Sequence, residues 1–258
     1  MTAFICYNSN MRLDRILANS GYGTRSQIKK MIRSGVVSVG DIVVVDPGTD
    51  ITEDHFSNIT ISGGKLDFSS YIYLCLNKPD RCLTARKDPR LPTVEQFIPQ
   101  ALRGKGLSSV GRLDYHTTGV LLLTNDGEMS HRLTSPKWHL TKSYTVTYSG
   151  LPLGPEEVSR FAEGFILKDK PGDRLILAPA QLTLIDDTHC TLTLSEGKTH
   201  QVKRMMASVG RSVTDLHRHE FAGIRLAAGQ KPGEIRELTR DEVLYLKSSC
   251  KMTEEIPR

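Results

Sequence analysis

Between Gly111 and Gly119 the chain reads Gly-Arg-Leu-Asp-Tyr-His-Thr-Thr-Gly. This short loop gathers a guanidinium (Arg112), a carboxylate (Asp114), a phenol, an imidazole and two hydroxyls, and Asp114 is its only carboxylate. The residues that follow, Val120-Leu121-Leu122-Leu123-Thr124-Asn125-Asp126-Gly127, are an apolar run closed by a turn sequence, which predicts a buried strand ending in a tight turn. A loop this polar, feeding a core strand, holds its side chains at the rim of a sheet, where functional groups usually lie. The chemistry on offer is that of one carboxylate with a cation beside it. The same two residues also read as a turn cap and a solvated surface pair, since an Asp beside an Arg is usually worth little.

Other chemistries find little support. Gly106 to Gly111 has the spacing of a phosphate-binding loop, but Arg112-Leu113 stands where Lys-Ser/Thr is required. His217 and His219 share one face of a strand, yet no third ligand or cysteine accompanies them, so no metal site is assigned. The five cysteines, at 6, 75, 82, 190 and 250, are odd in number, widely spaced and without a Cys-x-x-Cys pair, which indicates neither a disulfide framework nor a zinc ribbon.

The elements that must position these groups follow from pattern. The chain has 258 residues, 38% hydrophobic and 24% charged, ordinary for a globular protein of one large domain or two smaller ones. Residues 1–10 are polar and unpatterned and are expected to be disordered. Leu13, Ile16 and Leu17 fall on one face of a first helix. After Gly21-Tyr22-Gly23, Thr24-x-x-Gln27 reads as a capping box opening a second helix with Ile28, Met31 and Ile32 inward. Arg25, Lys29 and Arg33 form a cationic stripe along it. Val36–Val39 and Ile42–Val45 flank Gly40-Asp41 as a hairpin with a Gly-first turn. From Met11 to Val37, Arg12, Arg15, Arg25, Lys29, Lys30 and Arg33 stand against Asp14 alone, which equals the formal excess of the whole chain, +5. A basic module on a neutral body suggests a binding arm and a working domain.

The Gly- and Ser-rich segment 63–70 reads as a linker. Beyond it come a strand over Tyr71–Asn77 ending at Lys78-Pro79, a short helix over Thr93–Ile98, and a helix over Asp126–Leu133. A strand over Thr141–Tyr148 follows, with Lys142 and Tyr144 outward on one face. Pro155–Glu163 reads as an amphipathic helix. A hairpin surrounds Asp186-Asp187, and a helix covers Thr199–Val209 with Lys203 and Arg204 in its second turn. Strands at Ser212–Leu216, Ile224 and Ile235–Leu238 and a helix at Thr239–Leu246 complete the chain. Strands outnumber helices without alternating strictly, so the class is α+β with a largely antiparallel sheet. No apolar run approaches the roughly 18–20 residues that span a bilayer. The first residues lack the basic start and apolar core of a signal peptide, so a cytoplasmic location is expected.

The wording Gly-Arg-Leu-Asp-x-x-Thr-x-Gly-x-Leu-Leu-Leu-Thr-Asn-Asp-Gly closely resembles the catalytic motif of the ribosomal pseudouridine synthases, in the branch named for the small-subunit enzyme. The helix-helix-hairpin module resembles an S4-type RNA-binding domain. The resemblance covers residues 11 to about 247. It implies an S4-like domain (11–62), a linker (63–70) and a catalytic domain (71–250) with a mixed, largely antiparallel sheet flanked by helices, between an extension (1–10) and a tail (251–258). It also implies isomerisation of a ribosomal RNA uridine to pseudouridine with Asp114 as nucleophile. The residue matching the family's basic partner in Ser195-Glu196-Gly197-Lys198-Thr199-His200-Gln201-Val202-Lys203-Arg204-Met205 is Lys203. Tyr144, in Lys142-Ser143-Tyr144, matches the ring that stacks on the base. Arg12, Arg15, Arg25, Lys29, Lys30, Arg33, Arg112 and Arg204 are the expected RNA contacts.

The reaction consumes nothing, so no cofactor and no metal are expected. What it needs is an ionised carboxylate. A carboxylate enclosed by a bound base loses water, which favours the protonated form, and a fixed cation opposes that shift. His200–Met205 and Leu216-His217-Arg218 look like the small-subunit branch, which implies 16S ribosomal RNA in an assembly intermediate as partner, uridine 516 as target, and a monomer with no membrane association. The alternatives are a 23S ribosomal RNA synthase of the same superfamily and a non-catalytic RNA-binding assembly factor. The intact Asp114, Tyr144 and Lys203 argue against the second.

Overall fold

The computed structural model describes residues 10–66, 71–167 and 175–252. Residues 1–9 of the expected extension, 67–70 of the expected linker and 253–258 of the expected tail lie outside the described residues.

The N-terminal module forms because two short helices have an apolar side that neither can bury alone. β1 (Met11–Arg12) leads into α1 (Leu13–Asn19), whose Leu13, Ile16 and Leu17 are fully buried. α2 (Arg25–Arg33) opens on the expected capping box, with Thr24 and Gln27 each bonded to the other's backbone. Ile28 and Ile32 are buried and Met31 is half-buried. β2 (Val37–Val39) and β3 (Ile42–Val43) pair across Gly40-Asp41, with Gly40 at φ +59° as a Gly-first turn requires. β4 (Asp50–Ile51) pairs with β1, while β5 (Ile59–Ile61) and β6 (Gly64–Lys65) complete the small sheet in the order β3-β2-β5-β6. Gly64 and Lys65, in the segment read as linker, therefore belong to this sheet.

The second module is built on β7 (Tyr73–Lys78), β8 (Ser108–Ser109), β9 (Thr117–Thr124), α3 (Gly127–Thr134), β10 (Lys142–Ser149), α4 (Pro155–Glu163), β11 (Phe165–Leu167), β12 (Leu175–Leu177), β13 (Gln181–Leu184), β14 (His189–Leu194), α5 (Gln201–Ser208), β15 (Ser212–Phe221), β16 (Ile224–Arg225), β17 (Ile235–Glu237) and α6 (Arg240–Ser249). The main sheet runs β13-β14-β10-β15-β9-β7-β17, with β8 on β9 and β16 on β15. Every strand-to-strand pairing in it is antiparallel except β15 on β9. The mixed, largely antiparallel α+β architecture is the one expected from the strand pattern.

β9 is apolar without alternation because both its faces are covered. Leu121 and Leu123 belong to the core that also holds Tyr144, Val202, Met205 and Leu216. Val120 and Leu122 belong to the core beneath α3 and α6, with Met129, Phe221 and Leu246. The parallel contact with β15 is unusually close. Gly119 has φ +100°, and a Cβ there would stand 2.2 Å from the carbonyl oxygen of Arg218. Gly119→Ala is expected to destabilise the protein by more than about 1 kcal/mol, since the backbone conformation and the approach both exclude a side chain. Denaturant unfolding measures this, and an unchanged midpoint would contradict the β9–β15 packing.

Candidate active site

The loop before β9 is fastened from three sides. Lys78, at the end of β7, is fully buried, and its ammonium donates to the carbonyl oxygens of Pro79 (3.1 Å), Tyr115 (3.2 Å) and Thr117 (2.9 Å). Burial pushes its pKa below the usual lysine value. Thr84 brackets Leu113 through both backbone groups, donating to its carbonyl (2.7 Å) and accepting from its amide (3.1 Å). His116 pairs with Asp80 at 2.9 Å. The amide of Thr117 donates to the carbonyl of Asp114 at 3.1 Å, closing the turn that presents the carboxylate. The loop has no regular structure, yet its backbone is held at several points, as a site requiring fixed geometry demands.

Asp114 opens onto a pocket of about 400 Å³, within the range of about 300–1,000 Å³ typical of sites that enclose small ligands. Arg112, Asp114, Tyr144 and Lys203, taken from three separate stretches of sequence, all line it. Arg204 is not among the lining residues. Tyr144 comes from β10 and lies opposite Arg218 of β15 in the ladder. Lys142 and Tyr144 do not point outward as read from the sequence. Both are 9% exposed and both line the pocket. The register of β10 on β15 slips between Ser143 and Tyr144, leaving His219 without an opposite residue, and a bulge of this kind re-aims neighbouring side chains.

α5 begins at Gln201 rather than Thr199, because His200 takes a left-handed conformation (φ 50°) that stops the helix short. Lys203 and Arg204 therefore stand in its first turn, not its second. His200 Nε2 lies 3.6 Å from Asp114 Oδ1. Among the described residues no lysine or arginine reaches ion-pair distance of that carboxylate. Glu196 accepts from the Ala178 amide (2.9 Å) and from Gln201 Nε2 (2.8 Å), so it ties the β14–α5 turn.

Two buried pocket cations were not singled out from sequence. Lys142 donates to the Leu140 carbonyl at 3.1 Å, and burial, with the charge of Arg218 second, pushes its pKa down to about 8. Arg218 is 3% exposed and donates from Nε to the Val120 carbonyl at 2.8 Å. The available signal was its place two residues after inward-facing Leu216 on the same strand face. Of the other imidazoles, His217 Nδ1 meets Thr118 Oγ1 at 2.9 Å and His219 Nδ1 meets Thr145 Oγ1 at 3.1 Å. Burial lowers the pKa of both. Among the described residues no three His, Cys, Asp or Glu side chains are grouped as a metal would need.

In the N-terminal module, Arg25, Lys29, Lys30 and Arg33 are exposed on α2 and have no carboxylate partner among the described residues. Arg12 pairs with Asp14 at 3.0 Å, and Arg15 reaches Glu128 of α3 at 3.8 Å. No helix among the described residues is long and apolar enough to cross a membrane.

The sequence model described as RNA pseudouridylate synthase matches residues 72–208, and that of the S4 domain matches residues 11–56. The chain is 39% identical over 236 residues to the ribosomal small subunit pseudouridine synthase A of Haemophilus influenzae, covering 90% of this chain and 98% of the relative. The protein of the same name from Escherichia coli is 38% identical over 234 residues, with the same coverage. A Bacillus subtilis protein called uncharacterized RNA pseudouridine synthase YtzG is 38% identical over 239 residues, covering 92% of this chain and 98% of that one. A crystal structure described as a pseudouridylate synthase superposes with a TM-score of 0.65 at 38% identity, over 92% of this chain and 99% of its own.

Proposed function

The chain belongs to the RNA pseudouridylate synthase family, in its ribosomal small-subunit branch, and on that premise we propose that it converts uridine 516 of 16S ribosomal RNA to pseudouridine with Asp114 as nucleophile. The observation that carries this reading is the convergence of Asp114, Tyr144, Lys203 and Arg112 on one pocket from three separate stretches of sequence. Asp114 attacks the extruded nucleotide. The Tyr144 ring, held on β10, stacks on the base, an interaction worth about 1–3 kcal/mol. Lys203 and Arg112 line the same pocket and supply positive charge for the RNA phosphates and the reacting groups. The substrate is an assembly intermediate of the small subunit, met by a monomer in the cytoplasm.

Lys203→Met is expected to slow turnover far more than it weakens RNA binding, because its charge serves the reacting carboxylate. Unchanged single-turnover kinetics would hand that role to Arg112 or to His200, which lies nearer the carboxylate in the free protein. The α2 stripe serves affinity instead. Replacing Arg25, Lys29 and Arg33 together by alanine removes up to three phosphate contacts and should flatten the slope of log K against log salt by about 2–3. An unchanged affinity at moderate salt would contradict that assignment.

The choice of uridine is tested by carbodiimide mapping of ribosomal RNA from cells lacking this chain. Loss of the single stop at 16S position 516 is expected. A lost stop elsewhere would move the substrate to that site.

A further inference from the structure

Arg218 and Lys142 are both buried and both pack against the ring of Phe221. The Arg218 guanidinium carbon lies 4.8 Å from the Phe221 centroid and Lys142 Nζ lies 5.4 Å from it. Two like charges taken out of water beside one ring are costly unless an anion joins them. No carboxylate reaches ion-pair distance of either among the described residues: Glu196, the one carboxylate whose charge acts on Lys142, accepts from the Ala178 amide and Gln201 at Oε1 and faces Lys198 at 4.0 Å through Oε2. Arg218 Nη2 is moreover buried without any hydrogen-bond partner. An orphaned donor of this kind calls for an explanation, and both side chains line the pocket onto which Asp114 opens.

We propose that Arg218, assisted by Lys142, receives the carbonyl edge of the extruded uracil and holds the negative charge that the base acquires during the reaction. The inference rests on the synthase reading with Asp114 as nucleophile. The chemistry leads to the same edge whichever atom is attacked. Attack on the ribose breaks the bond between C1′ and N1. The electron pair stays on N1 and spreads to O2 and, through the C6–C5 double bond, to O4. Attack on C6 of the base pushes the ring's electron pair through C5 onto O4. The turned base then forms the bond from C5 to C1′: on the first route Asp114 leaves C1′ as this bond forms, and on the second the C1′–N1 bond breaks before it forms and Asp114 leaves C6 afterwards. C5 loses its proton, N1 gains one, the carboxylate is regenerated, and nothing is consumed. In both cases the transient charge lies on the carbonyl oxygens.

Tyr144 is Arg218's neighbour across the ladder, so a base stacked on its ring has the guanidinium at hand. The unpartnered Nη2 offers a donor to one carbonyl oxygen in the plane of the base. Preorganised donors aimed at developing charge in a dry site act most strongly there. A backbone phosphate is the poorer fit. Phosphates approach from solvent, where exposed Arg112 and Lys198 line the rim, whereas Arg218 is almost wholly covered.

The test compares parent and Arg218→Met in single turnovers on small-subunit RNA carrying uridine, 2-thiouridine or 4-thiouridine at the position the parent modifies. Sulfur accepts hydrogen bonds poorly and bears negative charge itself, so it makes the donor less necessary. Arg218→Met should lose on the order of 10²-fold on uridine, but less than tenfold on at least one thio-substrate, with RNA affinity unchanged. Arg218→Lys should recover part of the loss. If Arg218→Met does not fold, Lys142→Met is read in the same way. An equal loss on all three substrates, or a loss that follows RNA affinity, would overturn the inference, since a phosphate contact or a merely structural role does not sense which carbonyl was replaced. A parent that forms no pseudouridine on any substrate would instead sink the synthase reading beneath it.

Discussion

Asp114→Asn should fold, bind ribosomal RNA like the parent, and form pseudouridine slower by on the order of 10⁴–10⁶. The size of the effect follows from the loop's construction. The substitution is nearly isosteric, and what positions residue 114 is backbone: the Thr117 amide on the Asp114 carbonyl and Thr84 on both backbone groups of Leu113. None of these bonds involves the carboxylate, so the fold is not at stake. The His200 contact at 3.6 Å lies at the surface of the pocket and contributes little to stability. What is lost is the proposed nucleophile, and Glu196 is held in the β14–α5 turn through Oε1. Melting and filter binding establish that the variant is intact. A rate within tenfold of the parent would remove Asp114 from the mechanism.

The second large effect is expected away from the reacting atoms, at Lys78. Its ammonium joins the end of β7 to the carbonyls of Tyr115 and Thr117, which flank the residues just after Asp114. Lys78→Met keeps the length of the side chain and removes all three donors. Buried carbonyls left without their partners cost about 1–3 kcal/mol each when nothing replaces the bond, and the loop relaxes to find water. A displacement of about 1 Å in a catalytic group can cost on the order of 10² in rate. Lys78→Met is therefore expected to melt earlier than the parent and to turn over about a hundredfold more slowly, with RNA affinity preserved through the N-terminal module. Single-turnover rates within threefold of the parent would show that the loop is held adequately without the lysine.

Much of this arrangement is legible in the sequence because it is local. The Thr24–Gln27 capping box, the Pro155–Glu163 helix and the hairpin around Asp186-Asp187 each follow from residues a few positions apart, and each forms as read. The loop that carries Asp114 stands out for the same reason, its polar groups being adjacent. Features set by distant partners do not show. β1 and β4 are two residues each and exist only because they meet, whereas the β11–β12 pair flanks a Pro171-Gly172 turn sequence between two apolar runs, a local signal left unassigned at the sequence level. β15 runs on to Phe221 although His217, Arg218, His219 and Glu220 break the apolar pattern, because β10 and β9 pair with it on both sides. Strand alternation places Lys142 outward with Tyr144 on one face. The register slip beside it and the Phe221 ring bury it instead. His200 carries no local sign of the left-handed turn that delays α5.

The most direct test of the central claim is tritium release. Small-subunit ribosomal RNA labelled at C5 of its uridines is incubated with the purified protein, since forming the bond from C5 to C1′ must expel the hydrogen at C5. The account predicts release that rises to one tritium equivalent per RNA and stops, with none from Asp114→Asn on the same timescale. RNA that is bound by the parent protein yet releases no tritium would contradict it.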